Sequence, residues 1–363
     1  MAEKKIKILQ VLTLMGRGGA ETMVMNFYRA LDRTKYQFDF LVHRQERYAY
    51  DDEIEAMGGK IYRTCSIRPG HYLKYFRFLD RFFEEHAHEY VAVHAHIQEN
   101  SGFVLKFAAK YGIKNRLVTS HIADLGIDYK YPFRLFGKMY NRYITDRLAC
   151  GVEAGKFLYG NKDFIVFPNA IPTSRFLFNQ KDSVIFRKER GWADKLVIGN
   201  VSRFCTQKNH TFLLDVFYQV SLLNPNAVLV LVGEGGLRGN IQQKAQSLGL
   251  VDKVFFEGLR SNIPDYLKAF DLLLFPSLYE GLPVSIIEAQ AAGLRCLLSD
   301  TIDKDVNVTG NVEFMSLKKP ADEWAKNLLL MYPYQRQNMQ SFIEKAGYDV
   351  GESIKILLDL YMK

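Results

Sequence analysis

The sequence predicts an α/β protein of two Rossmann-like domains, each a parallel sheet with helices on both faces, set about one cleft. Three observations predict it. Short apolar runs of strand length alternate with helical segments from residue 6 to residue 167. The alternation stops over residues 168–195, which carry Pro168, Pro172 and many charges but no strand. It restarts at Leu196 and runs to Ser299. A chain of 363 residues suits two domains of ordinary size. The expected division is a first domain over 1–170, a linker over 171–195, a second domain over 196–340 and a helical tail over 341–363 that can pack back on the first domain.

The elements follow in order. Residues 6–15 form strand one; Lys7 and Gln10 interrupt its apolar run and no small-x-small pattern follows, so it does not read as a secretion signal. The loop Gly16-Arg17-Gly18-Gly19 leads into a helix over 20–31, with Met23, Phe27 and Leu31 on one stripe. A strand over 38–42, a short helix over 51–57 and a short strand over 60–63 come next. A long aromatic and basic helix spans 72–86. Strand 91–96, helix 102–111, strand 116–120, helix 132–145 and strands 147–151 and 164–167 complete the first half. The linker holds one short helix near 184–189. The second half reads as strand 196–201, helix 210–223, strand 227–232, helix 237–248, strand 253–257 and helix 262–269. Strand 272–275, a helix up to Ala292 with Gly293 as its stop, and strand 295–299 follow. Residues 324–361 read as mostly helical.

With 48% hydrophobic and 24% charged residues the chain is globular rather than disordered. Cys65, Cys150, Cys205 and Cys296 are far apart and form no C-x-x-C. Three lie in strand-like runs and are expected as buried thiols, which fits a reducing cytosol and gives no metal site. No run of about 18 apolar residues occurs. The formal charge is +8, and residues 1–175 hold all of the excess, with 27 Lys+Arg against 19 Asp+Glu. A basic first half suggests an anionic partner.

The chemistry centres on residues 271–300, read as strand, loop, helix, strand. Glu280 lies in the loop Leu278-Tyr279-Glu280-Gly281-Leu282-Pro283, and Glu288 lies one turn into the helix. Ser285 reads as an N-cap, with Glu288 three residues on at capping-box spacing. In an open α/β sheet, ligands bind beyond the carboxyl ends of the strands, at helix N-termini. Carboxylates there can accept from sugar hydroxyls while the helix N-terminus faces a phosphate. A cap and a solvated loop acid are an even alternative on this stretch alone.

Glu280-Gly281-Leu282-Pro283 followed by Glu288-Ala289-Gln290-Ala291-Ala292-Gly293 resembles the E-x7-E motif of retaining GT-B glycosyltransferases of the large family 4 group. Leu282 replaces the usual aromatic, and Arg295 stands where that family has Pro. Asn200-Val201-Ser202-Arg203-Phe204, continued by Lys208-Asn209, resembles its phosphate-gripping element, and two cations there can neutralise a diphosphate leaving group. Val232-Gly233-Glu234-Gly235 and Glu257-Gly258-Leu259-Arg260 resemble its nucleotide turns. Gly18-Gly19-Ala20-Glu21 resembles its Gly-Gly-x-Glu loop; a dinucleotide fingerprint needs a third glycine near Glu21 and an acid at the end of strand two, and has neither. Residues 301–305, Thr-Ile-Asp-Lys-Asp, depart from the family and look like its exopolysaccharide and capsule branch.

The resemblance implies a retaining transferase using a nucleotide sugar, UDP-linked by preference, and a lipid-linked or oligosaccharide acceptor. Arg203 and Lys208 would stabilise the departing diphosphate. Glu288 would bind ribose hydroxyls and Glu280 sugar hydroxyls. Gly18, Gly19, Gly233, Gly258, Leu259 and Arg260 would line the sugar-donor site, as would Gly281, Leu282, Pro283, Val284 and Ser285. No metal or other cofactor is implied, and no side chain serves as a dedicated base. His121, after the fifth strand, matches a histidine that approaches the transferred sugar; His94 and His96 read as structural. A nucleotide-sugar epimerase is the alternative within the fold, and a basic nucleic-acid-binding protein the alternative outside it, though no recognised module gathers the charge. A last expectation is docking on the cytoplasmic face of a membrane. Lys130, Arg134, Lys138 and Arg142 would form a basic stripe beside Phe133, Phe136, Tyr140 and Tyr143, with a similar mixture over 72–83.

Overall fold

The computed structural model describes residues 5–68, 70–122 and 131–363, in two compact units. The first comprises Met1–Ile171 and Asp349–Lys363, the second Pro172–Tyr348. The first holds β1 (Ile6–Leu12), β2 (Tyr36–Val42), β3 (Ile61–Arg63), β4 (Tyr90–Ala95), β5 (Asn115–Ser120), β6 (Asp146–Ala149) and β7 (Ile165–Val166) in the order β3-β2-β1-β4-β5-β6-β7. The second holds β8 (Leu196–Val201), β9 (Ala227–Val232), β10 (Val254–Gly258), β11 (Leu272–Phe275), β12 (Arg295–Ser299) and β13 (Val312–Met315) in the order β10-β9-β8-β11-β12-β13. Every pairing is parallel. Central strands such as β9, AVLVLV, are apolar throughout because helices cover both of their faces. In each sheet the strand order reverses beside the first strand, between β1 and β4 and between β8 and β11. Such a reversal opens a crevice at the strands' carboxyl ends.

Residues 172–195 are not a bare linker. They carry helices Thr173–Phe176 and Gln180–Glu189 inside the second unit, where Arg187 binds Asp271 at 2.8 Å and the carbonyl of Lys195. The helix Gln340–Lys345 also belongs to that unit, so the return to the first unit falls at Asp349 rather than 341. The last helix, Val350–Tyr361, then buries Ile354, Leu357, Leu360 and Tyr361 against Ile8, Leu12, Phe38 and the helix Gly19–Ala30.

The segment expected as one helix over 132–145 is an α-helix, Tyr131–Lys138, that tightens into a 3₁₀ turn over Met139–Tyr143. There Tyr140 rests on Gly102, whose missing Cβ would lie 2.6 Å from the tyrosine's own. The basic stripe expected on this segment does not form. Lys130 lies outside the described residues. Arg134 is 12% exposed and turns toward Glu99 at 3.7 Å, and Lys138 donates to the carbonyl of Phe157 at 2.8 Å. Phe136, Tyr140 and Tyr143 pack on the core, and Leu135 and Met139 face solvent instead. Of the cysteines only Cys296 is buried; Cys65, Cys150 and Cys205 are half-buried. All the strands expected up to residue 299 are present; β13 was not foreseen.

Candidate functional site

In the second unit the two segments beyond β8 and β11 are stitched together. Leu278 donates its N–H to the Gln207 carbonyl at 2.8 Å, and the Gln207 side chain returns to the Tyr279 carbonyl at 2.9 Å. Asn209, left-handed with φ 53°, donates to the Pro276 carbonyl at 3.1 Å. These bonds place Lys208 over the Phe275 ring and against Glu280, with Nζ and Oε1 2.5 Å apart. The pair is 17% and 10% exposed, so it is partly desolvated, and removing either partner would leave the other charge uncompensated. Arg203 stands apart: its guanidinium is exposed and makes no ion pair or hydrogen bond among the described residues. The expected two-cation grip is therefore one neutralised lysine and one unengaged arginine.

The helix after the loop begins at Val284, with Pro283 at the N-cap and no side-chain cap. Ser285 is inside the helix and the expected capping box does not form, because proline already fixes the entry of the chain. Glu288 is thereby released from capping. Its carboxylate makes no hydrogen bond among the described residues, and burial pushes its pKa up to about 7 against the pull of Arg175. Its side chain still reaches solvent. A carboxylate held at that cost, beside first-turn N–H groups without a cap, is suited to accept hydroxyl donors from a ligand. Gly281 borders open space and Pro283 is buried. Gly293 ends the helix at φ +69°, as expected.

The glycine turn after β9 meets the first segment backbone to backbone, and the end of β10 meets that turn in its own right. A Cβ on Gly233, at φ +146°, would lie 2.0 Å from the Ser202 carbonyl oxygen; one on Gly235 would lie 2.3 Å from that of Phe204. Gly233 N–H donates to Gly258 O at 2.9 Å. Leu259 and Arg260 are exposed beyond that turn, and Arg260 is tied to Glu257 at 2.9 Å. The turn that follows the divergent residues 301–305 has an anchor the sequence did not advertise. Buried Gln290 donates to the Ile286 and Val306 carbonyls and accepts from Val308 N, Thr309 N and Thr309 Oγ1. It fixes the turn into β13.

The first unit has its own pocket at the β1/β4 reversal, about 480 Å³, lined by Thr13, Gly19, His96, Gln98, His121 and Asn169 among others. Gly18 caps the helix Gly19–Ala30, and a Cβ there would strike the Glu21 carboxylate at 2.2 Å, so the glycine makes room for Glu21. His121 lies on the pocket wall. His96, read as structural, is its hydrogen-bond partner, with Nδ1 3.0 Å from His121 Nε2. Burial pushes His121 down to about 4 and His94 to about 3, and His96 well below the usual histidine range. All three are neutral near pH 7. The H-x-H spacing was visible in the sequence; its link to His121 needs the pairing of β4 with β5.

Comparison with known proteins gives the site its context. The family model described as glycosyl transferases group 1 matches residues 182–331. EpsF of Bacillus subtilis (strain 168), itself assigned as a glycosyltransferase, is 36% identical over 99% of this chain and 97% of its own. CapH of Staphylococcus aureus, a capsular polysaccharide biosynthesis glycosyltransferase, is 26% identical over 98% of this chain and 99% of its own. Among solved structures, HepE of Anabaena in complex with UDP and glucose matches with a TM-score of 0.73 at 20% identity over 98% of both chains. WaaG, a glycosyltransferase involved in lipopolysaccharide biosynthesis, matches with a TM-score of 0.62 at 14% identity, over 98% of this chain and 96% of its own. The structural likenesses agree with the GT-B fold of two parallel-sheet, Rossmann-like halves. The identity to EpsF, spread over nearly all of both chains, carries the further step: this chain belongs to the glycosyl transferases group 1 family.

Proposed function

We propose that this glycosyltransferase moves a sugar, with retention of its anomeric configuration, from a UDP-sugar to a lipid-linked or saccharide acceptor in surface polysaccharide synthesis. The observation that carries the reading is the β8/β11 reversal. It gathers an unengaged Arg203, the Lys208–Glu280 pair, an uncapped helix N-terminus and the unbonded Glu288 carboxylate on one edge of the second unit. Cationic and N–H groups there suit a diphosphate, and carboxylates suit hydroxyls. The acceptor, in this reading, enters the pocket of the first unit, with His121 on its wall. The relatives point in the same direction: CapH belongs to capsular polysaccharide biosynthesis, and the HepE structure holds UDP.

The test is a thermal-shift screen of nucleotide sugars, since a ligand bound only by the folded state raises its stability. The anomeric form of the product is then read by NMR. A UDP-sugar should give the largest shift and the product should keep the anomeric configuration. An inverted product would overturn the mechanism, and no shift with any UDP-sugar would overturn the choice of nucleotide.

Docking on an anionic lipid surface belongs to the same reading, with Arg142 the one member of the expected stripe that takes part. Leu73 and Met139 are 73% and 70% exposed, on segments whose Tyr72 and Phe136 rings meet edge-on at 5.6 Å. Lys74, Arg77 and Arg142 are exposed beside them. Apolar tips with a cationic margin suit an interfacial contact. No helix among the described residues is long and apolar enough to cross a membrane. Flotation with anionic liposomes should recover the wild type, and Leu73→Gln with Met139→Gln should lower the recovery. Equal recovery would rule this face out.

A further inference from the structure

Gln10 of β1 stands in the middle of a buried chain of hydrogen bonds in the first unit. Its Nε2 donates to the Tyr361 hydroxyl at 3.0 Å, and its Oε1 accepts from His96 Nε2 at 3.1 Å. On one side the Tyr361 hydroxyl meets His94 Nδ1 at 2.7 Å, and His94 Nε2 meets Thr119 Oγ1 at 2.8 Å. On the other side His96 Nδ1 meets His121 Nε2 at 3.0 Å. Gln10, His94, Thr119 and Tyr361 are each at most 1% exposed, so bulk water cannot replace a missing link.

A neutral imidazole has one donor and one acceptor, so the chain has a direction. Gln10 offers His96 a carbonyl oxygen. His96 therefore carries its proton on Nε2 and presents a lone pair at Nδ1. His121 must donate into that lone pair from its own Nε2, which leaves its Nδ1 a buried acceptor without a hydrogen-bond partner among the described residues. Tyr361 is the latch. Its hydroxyl takes the Gln10 N–H, and if that amide turned over, every proton between Gln10 and His121 would reverse. The backbone of His121 is fixed separately by Gln98, a left-handed residue at φ 53°. In the amide orientation that satisfies it, Gln98 accepts from His121 N at 3.1 Å and Ile122 N at 2.8 Å.

We propose that Gln10, His96 and Tyr361 are positioning residues that hold His121 in one ring orientation and one tautomer, with the proton on Nε2. The proposal rests on the reading of His121 as a residue of the acceptor pocket. It gives the last helix a part in that pocket, through one hydroxyl and the two side chains between it and His121.

The test reads His121 itself, in the full-length protein labelled with ¹⁵N-histidine and assigned by loss of its signal in His121→Asn. The wild type should show a single Nε2–H tautomer from about pH 6 to about pH 8. Tyr361→Phe keeps the ring packed at Phe38 and removes only the hydroxyl. It should give a mixture of tautomers and lower kcat about tenfold, the scale of one buried hydrogen bond, with KM for the UDP-sugar changed less than about twofold. Gln10→Met, matched in volume without the amide, should do the same. A wild-type spectrum showing the Nδ1–H tautomer or a mixture overturns the proposal whether or not the variants fold. Unchanged tautomer and kcat in Tyr361→Phe overturn it as well. Full turnover by His121→Asn would instead remove His121 from the function, while the tautomer result would still decide whether the relay exists.

Discussion

Arg203 and Lys208 lie on one loop, yet their replacement should have different signatures. Arg203→Ala removes an exposed, unengaged charge; turnover should fall roughly 10²–10³-fold, the scale of one preorganised electrostatic partner, with an unchanged Tm. Lys208→Ala should lower turnover and also cost stability, because Glu280 would be left partly buried without its partner. Calorimetry beside steady-state kinetics separates the two. Glu288 makes the opposite trade. Its folded pKa of about 7 lies above the usual 4.5, so the folded protein binds more protons between those values and its stability falls as pH rises through that window. Glu288→Gln should therefore be more stable than the wild type above about pH 7, lose this part of the pH dependence, and bind the UDP-sugar more weakly. Denaturant titrations at several pH values check it; a variant less stable than the wild type at high pH would show that the carboxylate is not strained.

At the scale of elements, the glycine turns are where a methyl group has the most effect. Gly233→Ala would drive a Cβ into the Ser202 carbonyl oxygen at a backbone angle that L residues rarely adopt. It should cost about 1–3 kcal/mol and abolish the thermal shift produced by UDP. Wild-type melting and an intact shift would mean that the turn tolerates displacement. The same scale shows what the sequence made legible. Strands and their order of appearance were readable because a buried parallel strand is a continuous apolar run, and E-x7-E was readable because its residues are local. The cap of the helix Val284–Ala291 was misread because two residues competed for it, and Pro283 wins by fixing φ. β13 was missed because the turn before it is held by Gln290, a contact between residues 16 to 19 apart. His96 was missed as the partner of His121, and Tyr361 as the far end of the same chain of bonds, because separate elements bring the three together.

For the whole molecule, the buried histidines set the acid limit. His43, His94, His96, His121 and His210 are all held neutral by burial, with pKa values pushed well below 6.5. The unfolded chain binds more protons than the folded one below about pH 6.5, so this stabilisation is complete above that value and is lost as pH falls toward 4. Stability measured by urea titration should drop steeply across that range. His43→Gln, which leaves the His121 relay untouched, should flatten the drop, and an unaltered slope would assign it to carboxylates instead.

The return of the last helix to the first unit has a consequence for biosynthesis. The ribosome makes strands β1 to β7 first, then the entire second unit, and only then Val350–Tyr361. At about 5–20 residues per second, the nascent first unit waits roughly 10–35 s with the seat of Leu357, Leu360 and Tyr361 uncovered. Chaperone engagement during synthesis should concentrate in that interval, and a stop codon placed just before Asp349 should turn a transient exposure into a permanent one.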